Sequence, residues 1–126
     1  MTTFPVVRPL RWARGSYDGL MAFPREVRRR VGRALWDAQI GRKAVYAKPL
    51  KGFAGAGVLE IVADHDGNTY RAVYTVRFSE AVYVLHAFQK KSKRGISTPR
   101  REVDLIDRRL KNAREDDVRW LSERRR

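Results

Sequence analysis

At 126 residues, with 43% hydrophobic side chains and three tryptophans, the chain suits one domain with a modest core and is too apolar to be disordered. It carries 28 Lys and Arg against 14 Asp and Glu, a net charge of +14 that favours a polyanionic partner, nucleic acid ahead of an acidic protein. Zero cysteines exclude disulfides and thiolate metal ligands, two isolated histidines do not make a metal site, and no apolar run reaches the length of a membrane span.

In chain order, residues 1–8 read as a loose terminus without the apolar core of a leader, and the zero cysteine count makes the cytoplasm the expected compartment. Leu10-Arg11-Trp12-Ala13 reads as a short edge strand, because Pro9 cannot serve a central one. Ser16 is placed to cap a short helical turn through Leu20 and Met21. Pro24 then opens a long helix on which Val27, Val31, Leu35 and Ala38 recur at helical spacing, and Gly41 ends it. Arg25, Arg28, Arg29, Arg30 and Arg33 cover its other side, which reads first as a solvated face and second as a phosphate-contacting strip.

Residues 42–57 form a basic, glycine-rich connection without periodicity. Neither GxxxxGK[ST] nor a strand feeding GxGxxG is present, so no nucleotide cofactor is implied. Lys48 and Lys51 lead from this loop toward the next strand, where they are placed to close over an RNA backbone.

Three antiparallel strands follow between Val58 and Lys90. Asp66-Gly67 supplies the positive φ angles of a tight first hairpin, and Ser79-Glu80 centres the second turn. That register sets Val62 opposite Arg71, Glu60 opposite Val73, Arg71 opposite Phe88 and Val73 opposite His86. Strict alternation then gives one face Glu60, Val62, Arg71, Val73, Thr75, Val84, His86 and Phe88, running toward Lys90. The opposite face carries Leu59, Ile61, Ala63, Tyr70, Ala72, Tyr74, Val76, Phe78, Tyr83, Leu85 and Ala87. The second face, the more apolar, is expected to pack on helices and the first to stay partly open.

Beyond Lys90-Lys91-Ser92-Lys93-Arg94-Gly95, a basic loop, Thr98 and Pro99 begin a second long helix with a stripe of Val103, Ile106, Leu110 and Ala113. Glu115-Asp116-Asp117 is expected to break it. Trp120 and Leu121 would fold back on the core, and residues 122–126 would be a loose tail. No repeat or linker divides the chain, so 1–126 reads as a single domain.

The constellation on the first sheet face has two readings. Glu60, diagonal to Arg71, is either a structural ion-pair partner or the group that steadies a phosphate-binding guanidinium. His86 reads more readily as a satisfied core histidine than as a general base. Phe88 is placed to stack on a base while Lys90 and Lys91 bind its phosphates, and crowded positive charge would lower a lysine toward general-base chemistry.

The order Lys-Pro-Leu-Lys-Gly (48–52), Leu-Glu-Ile (59–61), Tyr-Arg-Ala-Val-Tyr (70–74), Leu-His-Ala-Phe-Gln-Lys-Lys (85–91) and Thr-Pro-Arg-Arg-Glu (98–102) resembles the phage-derived branch of the RelE/HigB toxins of type II toxin–antitoxin systems. The resemblance implies an α+β, RelE-like fold: N-terminal helices on one face of a small antiparallel sheet, and a C-terminal helix. It implies a ribosome-dependent messenger RNA endoribonuclease in which the ribose 2′-hydroxyl attacks the adjacent phosphate without a metal or other cofactor. By position it implies catalytic roles for Arg71, Lys91, Lys90, Glu60 and His86, and RNA binding by Lys48, Lys51, Phe88, Lys93 and Arg94. It also implies a cognate antitoxin, a helix-turn-helix protein with an acidic segment, and no membrane. The chain departs from the family at Lys-Ser-Lys-Arg-Gly-Ile-Ser (91–97), where Lys-Thr-Gln-Lys is usual, and at Asp104, where alanine is usual. The same superfamily contains ParE-like toxins, which bind and inhibit DNA gyrase without cutting nucleic acid. The ribonuclease reading requires the cations on an uncovered sheet face; finding them scattered, or sealed beneath the helices away from solvent, overturns it.

Overall fold

A computed structural model describes residues 6–53, 57–90 and 98–124. In chain order the elements are β1 (Leu10–Trp12), α1 (Ser16–Met21), α2 (Arg25–Gln39), β2 (Ala47–Pro49), β3 (Val58–His65), β4 (Asn68–Thr75), β5 (Val82–Lys90) and α3 (Arg100–Arg124). The strands form one five-stranded sheet in the order β1-β5-β4-β3-β2. The α+β arrangement is the expected one, but the sheet is mixed, because β1 runs parallel to β5.

Helix α2 forms where the apolar spacing placed it. Its buried stripe of Val27, Val31, Ala34, Leu35 and Ala38 packs on Ile61, Ala63, Ala72, Tyr74, Val82 and Val84. Each large aliphatic side chain so covered contributes about 1.5–3 kcal/mol. Gly41 ends the helix at φ 80°, its N–H donating to Ala38 O and the Arg42 N–H to Asp37 O, the paired bonds of a left-handed cap. Ser16 does not cap α1: Gly15 holds the cap position at φ 83°, and the Ser16 hydroxyl donates to Ala13 O. Arg8 is anchored rather than loose, donating to Phe78 O and Ala38 O at 2.9 Å each. The stretch read as featureless loop contains β2, a three-residue edge strand pairing Lys48 with Glu60, too short for periodicity to register.

The β3–β4 hairpin turns at Asp66 (φ 49°) and Gly67 (φ 79°), as its Asp-Gly signal predicts. Val62 lies opposite Arg71, Glu60 opposite Val73, Arg71 opposite Phe88 and Val73 opposite His86, all in the expected register. One residue later the register shifts: Tyr74 lies opposite Val84, leaving Leu85 as the extra residue of a bulge. Strict alternation therefore fails beyond this point. Val84 joins the α2 layer, whereas Tyr83, Leu85 and Phe78 join the α3 layer, the reverse of the expected faces.

The largest correction concerns the sheet face expected to be open. Helix α3 crosses it, burying Ile106, Leu110 and Ala113 against Val58, Val73, Tyr83 and Leu85. The spacing i, i+4, i+7 makes those three one helical stripe. The acidic triplet 115–117 does not break the helix, which continues through residues 122–124. One of those carboxylates is held in place, Asp116 accepting bonds from Arg11 and Tyr83, and Asp117 is buried. Trp120 packs on the same cluster, as expected, but from within the helix. Among the described residues, no helix is long and apolar enough to cross a membrane.

Candidate functional site

Four separate segments meet at Glu60. Its Oε2 accepts from Arg71 Nη1 at 2.8 Å and from the Thr98 hydroxyl at 3.3 Å, while Lys48 Nζ lies 3.7 Å from Oε1. Arg71 Nη1 also donates to Thr98 Oγ1 at 3.3 Å. The geometry follows from pairing. Lys48 faces Glu60 across β2–β3, Arg71 is diagonal to it across β3–β4, and Thr98 arrives just before α3. A charge-assisted pair of this kind survives burial only with such added partners.

Burial sorts the expected site residues. Arg71 is 3% exposed, Glu60 5% and Lys90 8%, whereas Lys48 and Lys51 are exposed. Phe88 is half-buried and stacks on His86, with centroids 4.6 Å apart, rather than standing free for a nucleobase. Lys91, Lys93 and Arg94 lie outside the described residues. The structure thus brings Glu60, Arg71 and Lys48 together, and places the first two below the surface.

His86 is engaged on both nitrogens. Arg109 Nη1 donates to Nδ1 at 3.0 Å, and Nε2 faces the Glu102 carboxylate. A guanidinium has only protons to offer, so Nδ1 presents its lone pair and the ring proton sits on Nε2, donated to Glu102. Burial lowers the His86 pKa below its usual value; Glu102 opposes that shift and Arg109 reinforces it. The ring is therefore a neutral strut between β5 and α3, with neither nitrogen open to take an RNA proton in this conformation.

Several contributors were not singled out from the sequence. Arg109 also donates to Leu85 O at 2.8 Å, and its own pKa is lowered by burial. Glu102 and Arg109 stand seven residues apart, two helical turns, flanking the apolar stripe; that spacing was the available signal. Arg11 donates from Nε and Nη2 to Asp116 Oδ2, at 3.1 and 2.7 Å, and its guanidinium lies 5.2 Å from the Trp120 ring centre. Burial opposes the Arg11 charge, but Asp116 and Tyr83 outweigh it and the pKa rises. The Tyr83 hydroxyl, which donates to the same oxygen, is pushed up by burial and by Asp116. Tyr74, buried under α2 and near Asp37, is pushed up to about 12. Among the described residues, no three His, Asp or Glu side chains converge as a metal ion would require.

Helices α1 and α2 on one face of a small mixed sheet, with a C-terminal helix on the other and a basic rim, define an α+β protein of RelE-like fold. The family model described as phage-derived protein Gp49-like (DUF891) matches residues 18–111, and the chain belongs to that family, one associated with RelE-like toxins. No curated protein matches the chain.

Proposed function

We propose that this protein is the toxin half of a type II toxin–antitoxin pair and cuts messenger RNA on the ribosome. The observation that carries the reading is the convergence of Lys48, Glu60, Arg71 and Thr98 in a chain of the Gp49-like family. In the cut, the 2′-oxygen bonds to phosphorus, the bond to the 5′-oxygen breaks, and a 2′,3′-cyclic phosphate remains. The 2′ proton passes to a base and the leaving oxygen gains one. Arg71 meets the charge on the nonbridging oxygens while Glu60 fixes its guanidinium, and Lys48 and Lys51 hold the flanking backbone. The partners in this reading are messenger RNA on the ribosome and a cognate antitoxin that covers basic surface.

Arg71 and Glu60 lie sealed beneath α3, the arrangement that rules out an open, ready-made site, so this chemistry stands only if the site opens. With Arg71 3% exposed, a phosphate reaches it only after the Thr98 end of α3 lifts from the sheet. The same burial is the specific observation favouring a second reading, a non-cutting toxin of ParE-like type that inhibits DNA gyrase by binding. The test is addition of the protein to translating ribosomes with mapping of message ends. The parent should cut, and the paired variant Glu60→Leu/Arg71→Met, which removes both buried charges and keeps the core filled, should not. An intact message with the folded parent, accompanied by broken DNA in expressing cells, would establish the gyrase reading instead. Cutting by the paired variant at the parent's rate would remove Arg71 from the mechanism.

A further inference from the structure

A cavity of about 270 Å³ opens on the α2 side of the sheet, across from the α3 side that holds Glu60. Three charged residues of α2 line it, Arg30, Arg33 and Asp37, with Ala34 among them. Their spacing of i, i+3, i+4 and i+7 makes them one stripe of the helix, a polar counterpart to the buried one. The other wall is a turn closed by the Ala47 N–H donating to Ala44 O at 3.2 Å, with Val45 and Tyr46 at its corners. Val45 is 89% exposed and Tyr46 65%, adjoining apolar surface that packing within this chain does not use.

The chemistry of the lining selects an occupant. None of the three charged side chains forms a hydrogen bond or ion pair with another described residue, although opposite charges share the wall. Asp37 is half-buried. The Tyr74 hydroxyl, near enough to feel its charge and without a hydrogen-bond partner among the described residues, does not donate to it. Both Asp37 carboxylate oxygens are therefore left to accept side-by-side bonds. Among the four RNA bases only guanine presents two adjacent N–H donors, at N1 and N2, on one edge. Arginine forks match a phosphate and Asp37 repels one, so the anionic end of an occupant lies toward Arg30 and Arg33. Asp37 follows Arg33 by four residues and Arg30 by seven, about 6 and about 10 Å along the helix. That span is comparable with the reach from a nucleotide's pairing edge to its own phosphate. Tyr46 supplies a ring on which a base stacks.

We infer that the cavity between α2 and the Ala44–Ala47 turn binds a guanosine of a single RNA strand, its base edge on Asp37, its ring on Tyr46 and its phosphate on Arg30 and Arg33. An acidic peptide would use the arginines but meet Asp37 as a like charge. Lys48, which faces Glu60 across β2–β3, lies two residues beyond Tyr46, about 7 Å of extended chain. A strand crossing that edge reaches both, and the captured guanosine then sets where a message is cut. That last consequence rests on the ribonuclease reading; the binding does not.

The test measures fluorescence anisotropy with the full chain, in the absence of ribosomes, using labelled uridine heptamers that carry one central guanosine, adenosine or inosine. The guanosine heptamer should bind about tenfold or more tighter than the adenosine one, and inosine, which lacks the N2 amine, should fall between them. Equal affinities would overturn the inference, and this arm needs only the parent chain. Asp37→Asn should erase the guanosine preference; its retention in the folded variant would assign base reading to another group and overturn the site. Arg30→Gln/Arg33→Gln should weaken the guanosine heptamer about tenfold, while Arg25→Gln/Arg29→Gln, an equal change in charge, should leave it within about twofold. Equal loss in both pairs would reduce the contact to general attraction. Displacement of the heptamer by guanosine monophosphate at the heptamer's own concentration would assign the cavity to a free nucleotide, and displacement by a peptide alternating arginine with glutamate would assign it to a protein. A parent that prefers guanosine yet leaves message intact on ribosomes would sink the ribonuclease reading and keep the cavity; cutting without the preference would do the reverse.

Discussion

Arg109 donates to His86 Nδ1 at 3.0 Å, and that bond decides the protonation of the ring. It keeps the imidazole neutral and turns its remaining proton toward Glu102. Protonation at Nδ1 would set two cationic groups against each other beneath α3.

The pH dependence of stability follows from the burial of this ring, which the Arg109 charge reinforces. The folded His86 pKa lies below 6.5, its unfolded value, so between the two values the unfolded chain binds more protons. Stability rises with pH in that window, is complete above about 6.5, and is lost as pH falls toward the folded value. Asp117, raised by burial, contributes with the opposite sign at more acidic pH. Thermal melts across this range should therefore show a slope that flattens in His86→Gln, whose amide keeps one donor and one acceptor. An unchanged slope would show that His86 does not control the transition.

The Glu60–Arg71 pair should prove costly to break singly and cheap to remove whole. Arg71→Ala strands a buried carboxylate and should lower unfolding free energy by about 3–5 kcal/mol. Glu60→Leu/Arg71→Met should fold within about 1 kcal/mol of the parent or better, because desolvating both ions offsets most of their attraction. Urea unfolding of the two variants checks this. A small loss in Arg71→Ala would mean that water reaches Glu60.

Two glycines in helices should respond in opposite directions. At Gly19 in α1 an added methyl would overlap the Ala87 carbonyl oxygen, so Gly19→Ala should destabilise by about 1–3 kcal/mol. At Gly32 in α2 a methyl meets open space, and Gly32→Ala should stabilise by about 0.5–1 kcal/mol through helix propensity. Melting both variants beside the parent reads the two signs directly.

Helix α3 should depend on its apolar stripe. Ile106 is fully buried between the helix and the sheet, and Ile106→Ala should cost about 2–5 kcal/mol. Val118, 65% exposed on the same helix, should tolerate alanine within about 0.5 kcal/mol. Comparable losses at both positions, measured by denaturant unfolding, would contradict this packing.

Strands β3, β4 and β5, the register of the first hairpin and α2 were legible because each rests on a local rule: Asp-Gly in a tight turn, apolar residues at helical spacing, a glycine at the helix end. The cover over Arg71 was not. A face carrying Glu60, Arg71 and His86 reads as half-polar, and only Thr98, Glu102 and Arg109, supplied from 16 to 38 residues away in sequence, make it compatible with burial. The extent of α3 was misread for a related reason. Glu115-Asp116-Asp117 looks like a solvated break until Arg11, 105 residues earlier, is placed against Asp116. Pairings at that separation leave no periodic trace.

The extra residue at Leu85 has a consequence for how this chain can be compared with its relatives. Parity along β5 changes sign there, so a role assigned by counting back from Lys90 and one assigned by counting forward from Val82 will disagree about inside and outside. Excising Leu85 would restore strict alternation with Val82–Val84 and His86–Phe88 each on its present layer, at the loss of one buried side chain beneath α3. Any correspondence drawn through this strand must therefore be anchored separately at each end.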